Sequence, residues 1–212
     1  MEFDKTLDVV FYNEAIEHIV RIDRVLRVPV GHLLLVGKSG TGKSLLTRFV
    51  CTRQNYTVVQ INPSPKYSVE EFDNDLKRFM KEAAGLNSKS DDRIDKTVVF
   101  ILEESSLSDV AFVERMNALL ASGDIPGLFE GEDYKLLISQ YKKLYNLHNA
   151  KERDIYDQFV SKVQKNLHVV LMMNPDNSGF TSRTASSPAI FNRCVIDWFG
   201  EWDPQTFKYI TD

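Results

Sequence analysis

Gly37-Lys38-Ser39-Gly40-Thr41-Gly42-Lys43-Ser44 is the stretch on which the reading of this chain turns. It fills every fixed position of the G-x-x-x-x-G-K-[ST] pattern and follows the apolar run Leu33-Leu34-Leu35-Val36. A buried strand that turns through glycines into a helix surrounds a phosphate with backbone N–H groups and a helix N-terminus. Lys43 is expected to reach the β- and γ-phosphates, and the Ser44 hydroxyl to ligate Mg²⁺. Together with Leu45, the octet forms the expected nucleotide-binding set. The competing reading is a Gly/Ser-rich turn without a ligand. Few chance matches to the pattern fall between a strand and a helix, so binding of a nucleoside triphosphate is the stronger reading.

Composition sets the frame around that loop. The chain has 212 residues, 26% of them charged and 43% hydrophobic, enough for one α/β core. Its net charge of −4 gives no reason to expect a nucleic-acid or membrane surface. Cys51 and Cys194 are too few for a disulfide framework. The four histidines (18, 32, 148 and 168) are scattered and contain no metal-binding pair. No apolar run approaches the roughly 18 to 20 residues of a membrane helix, and the N-terminus lacks a signal-peptide pattern. The expected location is cytosolic.

Outward from the loop, strands alternate with helices. Asn13 is a candidate cap for a helix with Ile16, Ile19, Val20 and Leu26 inward, ending before Pro29. Strands are expected at about 32–37, 56–61, 97–102, 167–173 and 194–199, each apolar or β-branched. Ser68 and Glu71 form a capping box for a helix closed by Gly85. A further helix runs through Phe112, Met116 and Leu120 to Gly123. Two amphipathic segments, 133–145 and 152–163, lie in an insertion at about 131–165. Residues 87–96 read as a polar loop, and Ser187-Pro188 open a short helix. This order implies an α/β P-loop fold, a five-stranded parallel sheet flanked by helices.

Two further groups carry chemistry. Val98 to Leu102 lead into Glu103-Glu104, roughly 60 residues after the loop. Ligands gather at the carboxyl ends of strands in such sheets. Glu103 is therefore expected to hold Mg²⁺ through its water shell, and Glu104 to orient and deprotonate the attacking water. Asn174, leaving the run Val169 to Met173, has the donor and acceptor to sense a γ-phosphate from the opposite side. As an Asn-Pro pair it also suits a plain turn. Two adjacent acids with a polar sensor strand fit ATPases better than small GTPases or nucleotide kinases.

Several segments together make a resemblance specific. They are His18 to Val25, Gly31 to Gly37, Phe112 to Ala121, Ile125-Pro126-Gly127-Leu128-Phe129-Glu130-Gly131, Asn166 to Val170, Ser187 to Cys194 and Trp198-Phe199-Gly200. In this order the chain resembles an AAA+ module, and more closely the fourth AAA+ module of cytoplasmic dynein heavy chains. The resemblance implies a single large AAA+ subdomain over residues 1–212, with no sequence for the helical lid, set in a six-module motor ring. It implies an ATPase module that binds ATP or ADP with Mg²⁺ and mainly modulates the motor. Lys43 and Ser44 match the phosphate and metal positions, Glu104 the catalytic acid and Asn174 the sensor. Arg193 matches an arginine finger that projects into the preceding module's site. Val9 and Val10 would lie near the adenine.

Implied partners are the neighbouring modules of the same heavy chain, with accessory chains and microtubules reached only through the full-length protein. Implied location is the cytoplasm, in association with the cytoskeleton. Glu103 departs from the family's usual Asp. The extra methylene moves the carboxylate by more than about an ångström, and Mg²⁺ tolerates little error in its octahedral shell. Slow turnover is the expected consequence, and a nucleotide-holding module without turnover is the alternative. A module of another large AAA+ ring ATPase fits less well. The segment alone is expected to bind ATP weakly and to hydrolyse it negligibly.

Overall fold

Alternate residues along the three central strands belong to two different hydrophobic cores, and that alternation builds the molecule. The computed structural model describes residues 11–61, 67–86, 96–107, 109–147, 149–177 and 188–200. The strands are β1 (His32–Val36), β2 (Thr57–Gln60), β3 (Val98–Glu103), β4 (Leu167–Met173) and β5 (Cys194–Trp198). They form one sheet in the order β2-β3-β4-β1-β5, and every pairing is parallel. Leu34, Val36, Val98, Phe100, Leu102, Val169 and Leu171 enter the core on one face. Leu33, Leu35, Val99, Ile101, Val170 and Met172 enter the core on the other. Strands covered on both sides carry no polar alternation, so the sequence reads as unbroken apolar runs.

Helices α1 (Asn13–Leu26) and α2 (Lys43–Arg53) cover the second face. The larger core lies under α3 (Val69–Ala83), α4 (Val110–Ser122), α5 (Gly131–Leu144), α6 (Glu152–Asn166) and α7 (Pro188–Arg193). The two segments read as an insertion are part of this core. Leu137, Ile138 and Tyr141 of α5 are buried with Ile155, Phe159 and Val163 of α6, and α6 runs into β4 without an intervening loop.

Local chemistry fixes the helix ends. Ser68 Oγ accepts from Glu71 N–H at 3.2 Å while Glu71 Oε2 accepts from Ser68 N–H at 2.8 Å, the capping box that the sequence predicts. Asp109 caps α4 by accepting from Ala111 N–H at 2.8 Å. The Asn117 side chain accepts from Ala189 N–H at 3.0 Å, tying α7 to α4.

One helix corrects the reading. Asn13 does not cap α1: it is the first helical residue, and Tyr12 is the extended cap residue, with no side-chain bond. The inward face is Ala15, Ile22 and Leu26, whereas Ile16 and Val20 are 45% and 57% exposed. Leu26 is inward as expected, and Ile19 packs, partly buried, against the same core as Ala15 and Ile22. Arg21 is not idle either. It donates to Asp197 Oδ1 at 3.0 Å, beside His18 Nδ1 at 2.7 Å from Oδ2. Burial pushes the Asp197 carboxyl upward in pKa, but His18 and then Arg21 outweigh it and hold the group below its ordinary value. The expected loop at 87–96 and the Ser187 cap lie outside the described residues, Lys96 excepted.

Candidate functional site

Parallel pairing sets the level of every candidate residue. Val36 pairs with Met173, and Glu103 with Met172, so Gly37, Glu104 and Asn174 leave adjacent strands at one height. Gly37 N–H donates to Met173 O at 3.0 Å, which carries the ladder up to the base of the phosphate loop. A cleft of about 620 Å³ opens there. It is lined by Ser39 to Leu45, by Glu103, Glu104 and Ser105, and by Met172, Met173, Asn174 and Asn177. That size suits a small-molecule ligand.

The loop itself depends on glycine. Gly40 and Gly42 take φ of 83° and 89°, a left-handed conformation that side chains rarely adopt. Nothing lies within 4 Å of where a Gly40 Cβ would stand, so that glycine answers to backbone shape and leaves room above the loop. Gly37 answers to space: a Cβ there would lie 2.7 Å from Phe199 Cβ. Lys43 Nζ donates to Gly37 O and Lys38 O, both at 2.6 Å, and to Thr41 Oγ1 at 3.3 Å. Its ammonium therefore sits inside the curl of the loop. Burial lowers the Lys43 pKa, and the charge of Glu103 opposes that shift. The loop opens α2, and the first amides of a helix, which have no partner within it, favour an anion.

The acids divide by burial. Glu103 ends β3 and is exposed to the cleft. Glu104 begins a single 3-10 turn (Glu104–Ser106) and is 4% exposed. Its Oε2 accepts from Asn174 N–H at 3.1 Å and from Asn177 Nδ2 at 3.0 Å. Asn174 Oδ1 accepts from Asp176 N–H at 3.1 Å, so this acceptor forms the turn after β4. Ser44 Oγ faces the same cleft and accepts from Arg48 Nε at 3.3 Å.

Arg193 stands apart. It ends α7 one residue before Cys194, which pairs with His32 at the start of β1. At about 3.3 Å per residue, the length of β1 puts it on the order of 15 Å or more from the loop. It is exposed. Val9 and Val10 lie outside the described residues. Asn177 was absent from the sequence reading. The only signal was its position in Asn174-Pro175-Asp176-Asn177, a turn-forming run whose geometry brings the fourth residue back to β3.

The residues fit the groups implied for them. A glycine curl with open space above Gly40, an ammonium within it and a helix N-terminus make a cradle for phosphates. No cluster of three or more His, Cys, Asp or Glu ligands occurs among the described residues. One hydroxyl and one carboxylate facing the cleft suit Mg²⁺, which takes few protein ligands and completes its shell with phosphate and water. Cys51 and Cys194 are buried thiols pushed up to about 12 by burial, and lie outside the cleft.

A family model described as P-loop containing dynein motor region D4 matches residues 7–212. A cytoplasmic dynein heavy chain of Paramecium tetraurelia is 48% identical over 204 residues, covering 95% of this chain and 4% of that protein. The Dictyostelium discoideum cytoplasmic dynein heavy chain is 44% identical over 208 residues, 96% of this chain and 4% of the relative. The Saccharomyces cerevisiae one is 37% identical over 214 residues, 99% and 5% respectively. The chain thus spans about one twentieth of the length of these relatives.

Proposed function

We propose, because the chain belongs to the P-loop-containing dynein motor region D4 family, that it is an ATP-binding AAA+ module of a dynein-type motor ring. Within that reading it is the large subdomain of the fourth module of a cytoplasmic heavy chain, and its ATP hydrolysis is slow and modulatory. The observation that carries the proposal is the convergence of the loop, Glu103-Glu104 and Asn174 on one cleft at the ends of β1, β3 and β4.

In this reading the loop amides and the α2 N-terminus hold the phosphates of ATP or ADP. Lys43 exchanges loop carbonyls for phosphate oxygens, and Ser44 with Glu103 holds Mg²⁺, directly or through water. When bound, the metal neutralises charge on the transferring phosphoryl group. Glu104 accepts the proton of the attacking water, and Asn174 orients that water. Val9 and Val10 flank the adenine. Arg193, exposed at the far end of the sheet, serves the site of the preceding module. The direct partners are the neighbouring modules; accessory chains and microtubules are engaged through the whole heavy chain, in the cytoplasm on the cytoskeleton.

Glu103 favours a second reading, a module that holds nucleotide without turnover. Replacing Glu104 by Gln in the full heavy chain separates the two. Trapped ATP at this module with altered motility supports hydrolysis. Unchanged motility and nucleotide content support the holding role.

A further inference from the structure

The chain leaves β4 through a tight turn that returns a carboxamide to the acid on the neighbouring strand. Asp176 N–H donates to Asn174 Oδ1 at 3.1 Å, and Asn177 N–H to Asn174 O at 3.2 Å. Those bonds aim Asn177 Nδ2 at Glu104 Oε2, 3.0 Å away. The same oxygen accepts from Asn174 N–H at 3.1 Å. A terminal carboxylate torsion is broad and roughly two-fold, so each hydrogen bond that Glu104 accepts narrows the orientations open to its plane. The Asn177 carboxamide, three residues along the same turn, adds a side-chain donor to the backbone one on that oxygen. Glu104 is buried, whereas Asn177 is exposed on the cleft wall. The donor that orients the acid is therefore itself open to solvent.

The geometry points to Asn177 as a positioning residue for ATP hydrolysis: its carboxamide sets the plane of the Glu104 carboxylate. Asn177 neither holds the phosphates nor takes the proton; it acts through Glu104. Its own backbone bond to Asn174 O is one that any residue but proline can make, so the turn survives loss of the side chain. An isosteric aspartate loses the donor and faces the carboxylate with like charge. A glutamine keeps the donor on a longer arm. The order of activity expected at this position is therefore Asn, then Gln, then Ala, with Asp lowest.

This inference rests on Glu104 acting as the base, so the test includes Glu104→Gln. The protein is the full heavy chain in which the loop lysine of every other nucleotide-binding module is replaced by Ala, leaving this module as the source of turnover. Single-turnover hydrolysis and MgATP affinity are measured for Asn177→Ala and Asn177→Gln. A misplaced catalytic group costs on the order of 10- to 100-fold in rate, and that loss is expected for Asn177→Ala with affinity within about twofold of the parent. Asn177→Gln is expected to recover part of the rate. An unchanged rate in Asn177→Ala beside an inactive Glu104→Gln overturns the inference alone. Parallel loss of rate and affinity also overturns it, because the side chain would then only shape the cleft. A Glu104→Gln protein that hydrolyses at the parent rate removes the base and this inference together.

Discussion

Glu104 and Glu103 are adjacent in sequence and opposite in environment, and the proposed division of roles between them rests on that difference. Glu104 is buried and held by N–H donors from the β4 turn, whereas Glu103 ends its strand facing the cleft. A fixed carboxylate suits proton transfer at a set position, and an exposed one suits a metal's water shell. In the proposed reading the long arm of Glu103 is what slows hydrolysis. Replacement by Asp is expected to raise single-turnover hydrolysis several-fold without loss of MgATP affinity; an unchanged or lower rate counts against that role. That Lys43, Ser44, Glu104 and Asn174 meet at one cleft is legible in the sequence because each is fixed by its offset from a strand end. The place of Asn177 there is not, since its contact depends on how the residues after β4 fold back.

Elements were legible where the signal is local. The capping box at Ser68 joins residues three apart, and β4 was found at its observed limits because a doubly covered strand has no polar interruption. Replacing Ser68 by Ala is expected to lower stability by about 1 kcal/mol, read as a shift in urea midpoint with an unchanged slope. Restoring the cap with Asp is expected to recover most of it. Of the expected α1 face, Leu26 and Ile19 lie on the buried stripe with Ala15 and Ile22, whereas Ile16 and Val20 form a second apolar stripe that is exposed. Which stripe is buried depends on the layer beneath, and sequence periodicity carries no term for that. His18 and Arg21 were likewise unreadable as partners of Asp197, more than 170 positions away.

At the scale of the whole molecule, the sheet separates two chemistries: the cleft at its carboxyl end, and buried histidines at its amino end. His32 Nδ1 accepts from Val169 N–H at 3.1 Å, and His168 Nδ1–H donates to Gly31 O at 2.7 Å. Burial, then the charges of His168 and Arg193, lowers the His32 pKa from 6.5 to about 4. Burial lowers that of His168 as well, against the opposing pull of its bond to Gly31. The unfolded chain therefore binds protons first as pH falls. This contribution to stability is full above 6.5, declines below it and levels off near 4, amounting to about 3 kcal/mol for His32. His32→Asn keeps an acceptor near Nδ1 without the titration, and is expected to flatten the fall in denaturant midpoint between pH 7 and 4.5. No described helix is long and apolar enough to cross a membrane, and the proposed function turns on nucleotide binding at the cleft. Calorimetric titration of MgATP and MgADP into the heavy chain segment carrying this module and its lid tests it most directly, with Lys43→Ala as the control. Saturable binding of one nucleotide per module, lost in the control, is the expected result. Equal heats from the parent and Lys43→Ala, or none from either, would contradict an ATP-binding module.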